Sequence, residues 1–415
     1  MEMSSLGWID FSASDRRRVH DVLAMMKDEG TLDELGVGQI RDAYADMLFP
    51  GLNTIQTRAR YFLAIPRLML DWAALPASKR EARPLTVYLR EAENTLARTL
   101  RDNYKCIGKE PTDVIGHTAV DQGGVSRRPS STYWNGLRVF GIVQTDKSLT
   151  EFCRHWRRDA DSYESVASDE GSNDDDHRYE ALVRRPPGSP GGWPDGMLLD
   201  LTAPEAKFLR DRFTLAPGLE HSVAAQLMSH GLAKTALKNE HSTFDMFSAW
   251  AAKQKTTLSG ACRDNIERAQ RFSLAIEGAH IIFNRLIAET KTNDDKLADL
   301  CASRYQSWRA EARVMGVFHK DAVLQWLSAN EASGSRVKPL TCDFLKEWNT
   351  LNSVSHPRQT ALDKLVSGQA TANKPKRSLL LREPDAASWY GMGALDYRWQ
   401  TARRMLEDIT KVMPC

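Results

Sequence analysis

The stretch DAYADMLFPGLNTIQTRARYFLAIP, residues 42–66, decides how the chain is expected to fold. An apolar face closes one helix at Leu48-Phe49, and Pro50-Gly51 then breaks that helix. The side chain of Asn53 or Thr54 can cap a second helix by accepting from one of its free backbone N–H groups. The pattern therefore predicts two helices joined by a tight turn.

The second helix also carries polar residues that suggest a binding surface. Gln56, Arg58 and Arg60 place amide and guanidinium donors beside the ring of Tyr61, a combination that suits phosphate or carboxylate groups. Two further groupings of aromatic and polar residues lie on other segments: Arg127, Arg128, Tyr133, Trp134 and Asn135, and then Asp396, Tyr397, Arg398 and Trp399.

These three groupings have three interpretations. Aromatic rings that stack on bases and guanidinium groups that bind phosphates are typical of nucleic-acid sites. Trp, Tyr and Arg are also enriched in protein interfaces. In the third interpretation the groupings are structural, with Asp396 paired to an arginine and the aromatic rings in the core. If the binding interpretations hold, Arg58, Arg60, Arg127 and Arg128 are expected to face one basic surface.

Helical spacing recurs along most of the chain. Residues 85–104 show an amphipathic helical pattern, and Thr202 is expected to cap a helix that has Pro204 in its first turn. Residues 132–156 predict a helix, a turn and a helix, which resembles a winged-helix or helix-turn-helix core. Further helices are predicted over 218–233, 243–255, 259–290, 294–316, 319–330, 340–351, 356–367 and 385–412. The predicted fold is mostly α.

Length and charge predict the division into domains. A chain of 415 residues exceeds what one hydrophobic core usually organises. Residues 159–177 contain eight Asp and Glu and no Lys or Arg, and a Pro- and Gly-rich run follows them. Such a composition cannot offset the entropy of ordering. We therefore predict a helical domain over 1–158, a linker or loop over 159–196, and a second helical domain over 197–415.

The same composition narrows the cellular location. No window reaches the roughly 18 apolar residues that span a bilayer, and the N-terminus has no signal-peptide pattern. The six cysteines form no Cys-x-x-Cys pair, so they are expected to be reduced thiols. The protein is predicted to be cytoplasmic, with no membrane contact.

The sequence lacks the common nucleotide-binding and hydrolase motifs. It contains no Walker A loop, dinucleotide fingerprint, nucleophile elbow or zinc-protease helix motif, and we predict no cofactor and no metal site. His280 follows a buried helical stripe and is expected to be a core histidine with satisfied hydrogen bonds. One enzyme-like spacing is present, because Arg313 and His319 have the Arg-x5-His spacing of helical HEPN ribonucleases. A polar residue normally follows that arginine, and here Val314 follows it.

Four blocks of the sequence resemble an uncharacterised bacterial family of unknown function that spans essentially the whole chain. They read LGWIDFS at residues 6–12, FPG with QTRARYF at 49–62, PSSTYWNGL at 129–137 and LDYRW at 395–399. The resemblance implies a place in anti-phage defence, beside a large helicase protein with a phospholipase-D-type nuclease domain, as in the Azaca system. The family has no established catalytic residues.

The first hypothesis is therefore a non-enzymatic defence subunit that binds a helicase–nuclease partner, nucleic acid (DNA or RNA), or both. The alternatives are a ribonuclease that uses Arg313 and His319, and a structural scaffold that forms homo-oligomers.

Overall fold

The computed structural model describes residues 33–122, 124–125, 127–156, 182–188, 193–385 and 387–413. The mostly α prediction is confirmed: the described elements are helices, and these ranges contain a single isolated antiparallel bridge, Val143 to Val183, and no strand. The α-helices are α1 Gly38–Leu48, α2 Tyr61–Ala73, α3 Ala77–Ala82, α4 Leu85–Cys106, α5 Pro129–Val139, α6 Ala203–Leu215, α7 Val223–Ser229, α8 Ala233–Ala236, α9 Phe244–Ala251, α10 Gly260–Ile287, α11 Asp295–Val314, α12 Ala322–Ser333, α13 Pro339–Asn352, α14 Gln359–Asn373 and α15 Trp399–Lys411. Residues 149–156 are also helical.

The described residues form two compact units, each built from two pieces of the chain. Unit 1 contains 33–43 and 268–395, and unit 2 contains 44–267 and 396–413. This division differs from the predicted boundaries at 158 and 196. Most of the predicted linker, 159–196, lies outside the described residues, so its role stays a prediction.

The core of unit 2 is centred on Phe62 in α2. Its ring makes edge contacts with Tyr133 at 4.8 Å, with Phe140 at 5.2 Å and with Phe213 at 5.8 Å between centroids. Helix α5 approaches the turn before α2 so closely that a Cβ on Gly136 would lie 2.5 Å from the Gly51 carbonyl oxygen. Only glycine fits at position 136 without displacing its neighbours.

The break after α1 is confirmed, but the predicted start of α2 is wrong. The Asn53 side chain accepts from the backbone N–H groups of Ile55 and Gln56, both at 3.1 Å, so it stabilises a turn. Helix α2 begins only at Tyr61. Likewise, the last helix begins at Trp399 and not near 385, because Tyr397 and Arg398 adopt positive φ angles of 50° and 69°.

Unit 1 is built around tryptophan rings that hydrogen-bond to helix α10. The indole N–H of Trp308 donates to the Leu274 carbonyl at 2.6 Å, and that of Trp348 donates to the Ala275 carbonyl at 2.9 Å. The two rings stack with centroids 6.0 Å apart. Buried aromatic rings with a satisfied N–H combine a large apolar area with a fixed orientation, so these residues set how α11 and α13 pack on α10.

His280 lies on α10 inside unit 1. It is 1% exposed, as expected for a core residue, but neither ring nitrogen has a hydrogen-bond partner within the described ranges. The prediction of a satisfied histidine is therefore wrong on the second point. Burial lowers the pKa of His280 to about 4, although the charge of Asp33 opposes this shift.

We expect this histidine to make unit 1 sensitive to acid. Because the folded pKa lies below the unfolded value, stability is complete above about pH 6.5 and falls as the pH approaches 4. The loss between pH 7.5 and 5 should be about 2 kcal/mol for the wild type. His280→Leu keeps an apolar group there and should remove this component. Urea unfolding at several pH values measures it, and equal pH dependence in both proteins would contradict the prediction.

Within the described ranges, no helix is both long enough and apolar enough to cross a membrane. The five described cysteines, Cys106, Cys153, Cys262, Cys301 and Cys342, are free thiols.

Candidate functional site

Of the predicted donors in this segment, Gln56 and Arg60 are buried in unit 2 and Arg58 is half-buried. Gln56 is fully buried; its amide N–H donates to the Gly51 carbonyl, and its side-chain oxygen accepts from the Asn53 N–H. These two bonds close the turn that separates α1 from α2. Gln56 therefore stabilises the backbone and is not placed to contact a ligand.

Arg58 is the centre of an ion-pair network. Its Nε and Nη2 lie 2.9 and 2.8 Å from Asp408 Oδ1 on α15, and Asp200 and Asp113 lie 3.3 and 3.4 Å away. The same carboxylate of Asp408 accepts from the Ala59 N–H at 2.8 Å. Burial disfavours the charge, but the hydrogen bonds and charge of Asp408 outweigh it and raise the pKa of Arg58.

Arg60 also binds residues of unit 2 that are distant from it in sequence. Its guanidinium donates to the carbonyls of Leu198 and Asp200, both at 2.7 Å, and to the carboxylate of Glu205 at 3.1 Å. Glu205 is fully buried and also receives the guanidinium of Arg67 at 3.6 Å. Arg58 and Arg60 therefore do not lie on an exposed basic surface, and that part of the prediction is wrong.

The second predicted grouping divides into buried and exposed members. Tyr133 is fully buried. Its hydroxyl accepts from the Thr57 N–H and donates to the Arg58 carbonyl, both at 2.9 Å. Trp134 is 7% exposed and donates to the Lys147 carbonyl. Only Asn135 is exposed.

Arg127 and Arg128 are half-buried just before α5. Arg128 donates to the Arg90 carbonyl at 3.1 Å. Burial lowers the pKa of Arg128; the charge of Glu93 opposes this shift, and that of Arg90 adds to it. These two arginines remain candidates for a contact, but without Arg58 and Arg60 beside them on a surface.

The third grouping forms the entry to α15. Asp396 accepts from the Arg398 N–H, and Arg398 donates to the Leu52 carbonyl at 2.7 Å and to Asp46 at 2.5 Å. Tyr397 is 1% exposed, and Trp399 is fully buried with its indole N–H on the His241 carbonyl. The structural interpretation therefore describes these residues well, because the side chains of Arg398 and Trp399 bind backbone carbonyls or the carboxylate of Asp46 and the Tyr397 ring is buried.

The residues of the ribonuclease hypothesis lie in unit 1. Arg313, in the last turn of α11, donates to the Ser355 carbonyl at 2.8 Å. The Nδ1 atom of half-buried His319 accepts from the Asp321 N–H at 3.3 Å. Both contacts hold neighbouring loops in place. A catalytic role for Arg313 and His319 stays a prediction. Within the described part of the chain, no three His, Cys, Asp or Glu side chains are grouped as a metal site.

A different group of arginines surrounds a concave site on unit 2. This arginine pocket has a volume of about 320 Å³ and is lined by Arg184, Arg185, Phe208, Asp211 and Arg212. The segment before α6 is fixed there, because the Arg184 N–H donates to the Ile142 carbonyl and its Nε donates to the Gly141 carbonyl. Helix α6 supplies Phe208 and Arg212.

Among its described lining residues, the arginine pocket has three arginines and one carboxylate, Asp211. Asp211 accepts from both Nε and Nη2 of Arg210, at 3.1 and 3.0 Å, so its charge is already shared. Burial and then the charge of Arg184 lower the pKa of Arg212, and Asp211 offsets only part of this shift. An anion bound in the pocket would relieve this repulsion.

The profile of a family of unknown function, DUF6361, matches residues 3–412. The chain belongs to the DUF6361 family. No curated protein and no solved structure matches it. The expected membership of an uncharacterised family that spans nearly the whole chain is thereby confirmed.

In this DUF6361 protein, three of the four sequence blocks that resemble the family have residues in contact with one another inside unit 2. The ring centroids of Tyr61 in one block and Tyr133 in the next are 5.4 Å apart, and those of Phe49 and Trp399 are 5.9 Å apart. The block at 6–12 lies outside the described residues. The three described blocks therefore mark the packing of α2, α5 and α15 and not an exposed site.

Proposed function

We propose that this DUF6361 protein is a non-enzymatic subunit of a bacterial anti-phage defence system and that it binds nucleic acid through the arginine pocket. The observation that carries the binding part is that Arg184, Arg185 and Arg212 line one concave site, where Asp211, the single carboxylate among the described lining residues, is engaged by Arg210. The defence role and a helicase–nuclease partner of the Azaca type follow from the sequence resemblance alone.

The chemistry of the pocket suits the nucleic-acid backbone. Guanidinium groups bind phosphate oxygens through two parallel N–H bonds, which gives both affinity and orientation. The half-buried ring of Phe208 offers a surface on which a base can stack. Of the five described lining residues, four are charged and only Phe208 is apolar, a composition that offers little apolar surface to anchor a protein partner. These features favour a nucleic-acid strand over a protein segment as the ligand of this site.

We expect Arg212→Ala to weaken binding of labelled single-stranded DNA or RNA roughly tenfold at about 50 mM salt. Three phosphate contacts to the wild type correspond to a roughly 20-fold loss of affinity between about 50 and about 200 mM salt. Removing one arginine should make that salt dependence shallower. Fluorescence anisotropy with the full chain measures both quantities.

A matched control is Arg98→Ala, which removes the same charge from a surface ion pair with Asp121 elsewhere in unit 2. It should leave affinity and salt dependence unchanged. Equal loss in both variants would mean non-specific attraction to the whole protein. No salt-sensitive binding by the wild type would reject nucleic acid as the ligand and leave the helicase–nuclease partner to be tested by co-purification.

A further inference from the structure

The arginine pocket contains an aromatic ring as well as cations, and the fold fixes the elements that carry them. Phe208 and Arg212 lie four residues apart on α6, a spacing that places both side chains on the same face of a helix. Helix α6 is fixed at its start, because its capping box uses Glu205, which is fully buried. The other wall carries Arg184, whose backbone N–H donates to the Ile142 carbonyl at 2.9 Å. The backbone that presents the ring and these two arginines is therefore preorganised.

Two guanidinium groups of the pocket have donors available to a ligand. Arg184 uses its Nε to donate to the Gly141 carbonyl at 2.8 Å, and its two terminal nitrogens bond to no described residue. Arg212 makes no hydrogen bond or ion pair within the described ranges. Burial and then the charge of Arg184 lower the pKa of Arg212, so the two cations act on the same region of the pocket.

This pairing of groups matches a nucleotide whose base is not paired. A guanidinium fork binds phosphate oxygens, and an aromatic face stacks on a base. In the pocket these two groups are neighbours on α6, as a phosphate and the base on the adjoining sugar are neighbours in a strand. The faces of a base inside a duplex are covered by the adjacent base pairs, so reaching Phe208 would require costly unstacking. A single strand presents its bases without that cost.

The size of the pocket also favours one unpaired nucleotide. Its volume is about 320 Å³, near the lower end of the range of about 300–1,000 Å³ that is usual for small-molecule sites. A space of this size admits one nucleotide unit and not a stack of base pairs. A duplex could therefore reach the arginines only with its backbone.

We infer that the arginine pocket selects single-stranded nucleic acid by binding one unpaired nucleotide, with its phosphate on Arg184 and Arg212 and its base on Phe208. This inference rests on the proposed nucleic-acid function and adds the class of substrate to it. A surface that recognised phosphate alone would favour the duplex, because the duplex has the denser charge. Preference for a single strand is therefore the property that the ring contact adds.

Fluorescence anisotropy of the full chain at about 50 mM salt tests the inference with three labelled probes of about 12 nucleotides. They are a thymidine strand, a strand of the same length without bases, and a duplex. The wild type should bind the thymidine strand roughly 5- to 100-fold more tightly than either other probe. Phe208→Leu keeps an apolar side chain but removes the aromatic face, so it should bind the thymidine strand and the strand without bases equally. Phe208→Tyr should retain the wild-type preference.

Ile107→Ala is the matched control, because Ile107 is 49% exposed at the end of α4 and is not among the described lining residues of the pocket. It should keep the wild-type preference. Equal, salt-sensitive binding of all three probes by the wild type would overturn this inference but leave the proposed nucleic-acid binding intact. A preference that Phe208→Leu retains would also overturn it, since the base contact would then lie elsewhere. Absence of salt-sensitive binding to any probe would reject both proposals.

Discussion

Glu205→Ala is expected to lower the free energy of unfolding by about 3–5 kcal/mol, because it removes one partner of a buried ion pair. Glu205 is fully buried, and its carboxylate lies between the guanidinium groups of Arg60 and Arg67 at 3.1 and 3.6 Å. The alanine variant would leave Arg60, which is only 7% exposed, without its counter-charge. An uncompensated buried charge is more costly than the pair is stabilising.

The same side chain caps helix α6, which adds to the expected loss. Its second oxygen accepts from the backbone N–H and the hydroxyl of Thr202, both at 2.9 Å. Loss of such a cap costs about 1 kcal/mol by itself. Glu205→Gln retains an acceptor for the cap and loses only the charge, so it should be less destabilising than Glu205→Ala.

Urea unfolding followed by circular dichroism measures both variants. Glu91→Ala is the matched control, because Glu91 is half-exposed and its pair with Arg83 lies on the surface of unit 2. It should change the free energy of unfolding by less than about 1 kcal/mol. A loss of that small size in Glu205→Ala would contradict a stabilising role for the buried cluster.

Features that depend on neighbouring residues were predictable from the sequence. Thr202 and Glu205 are three residues apart and form the capping box at the start of α6, where the cap was expected. Helices α4, α10 and α11 begin and end within a few residues of their predicted bounds, because their apolar spacing is long and regular. Apolar spacing alone does not predict the starts of α2 and α15, because the Asn53 side-chain turn precedes α2 and positive φ angles precede α15.

The roles of the arginines were not predictable, because their partners are distant in sequence. Asp408 lies 350 residues from Arg58, and Glu205 lies 145 residues from Arg60. A guanidinium beside aromatic rings has the same local pattern whether it meets phosphate or a buried carboxylate. The Pro and Gly residues around Arg184 and Arg185 predict a linker, although the bridge from Val183 to Val143 fixes that segment.

Arg58→Met should lower the free energy of unfolding by about 3–5 kcal/mol, since Asp408 would remain buried without its cation. Asp408 is 8% exposed and also receives the Ala59 N–H. The double variant Arg58→Met with Asp408→Leu replaces the pair by apolar groups, so it should recover a large part of that loss. The unpaired Ala59 N–H limits the recovery by about 1–3 kcal/mol.

This double variant also separates stability from binding. If Arg58 is structural, the folded double variant should bind labelled nucleic acid with wild-type affinity and salt dependence, whereas Arg212→Ala should not. A double-mutant cycle by urea unfolding gives the coupling energy between Arg58 and Asp408. If the double variant is as stable as the wild type but has lost salt-sensitive binding, Arg58 contacts the ligand, and the binding interpretation of the QTRARYF segment is restored. A coupling energy near zero would show that the pair does not hold α15 against the turn before α2.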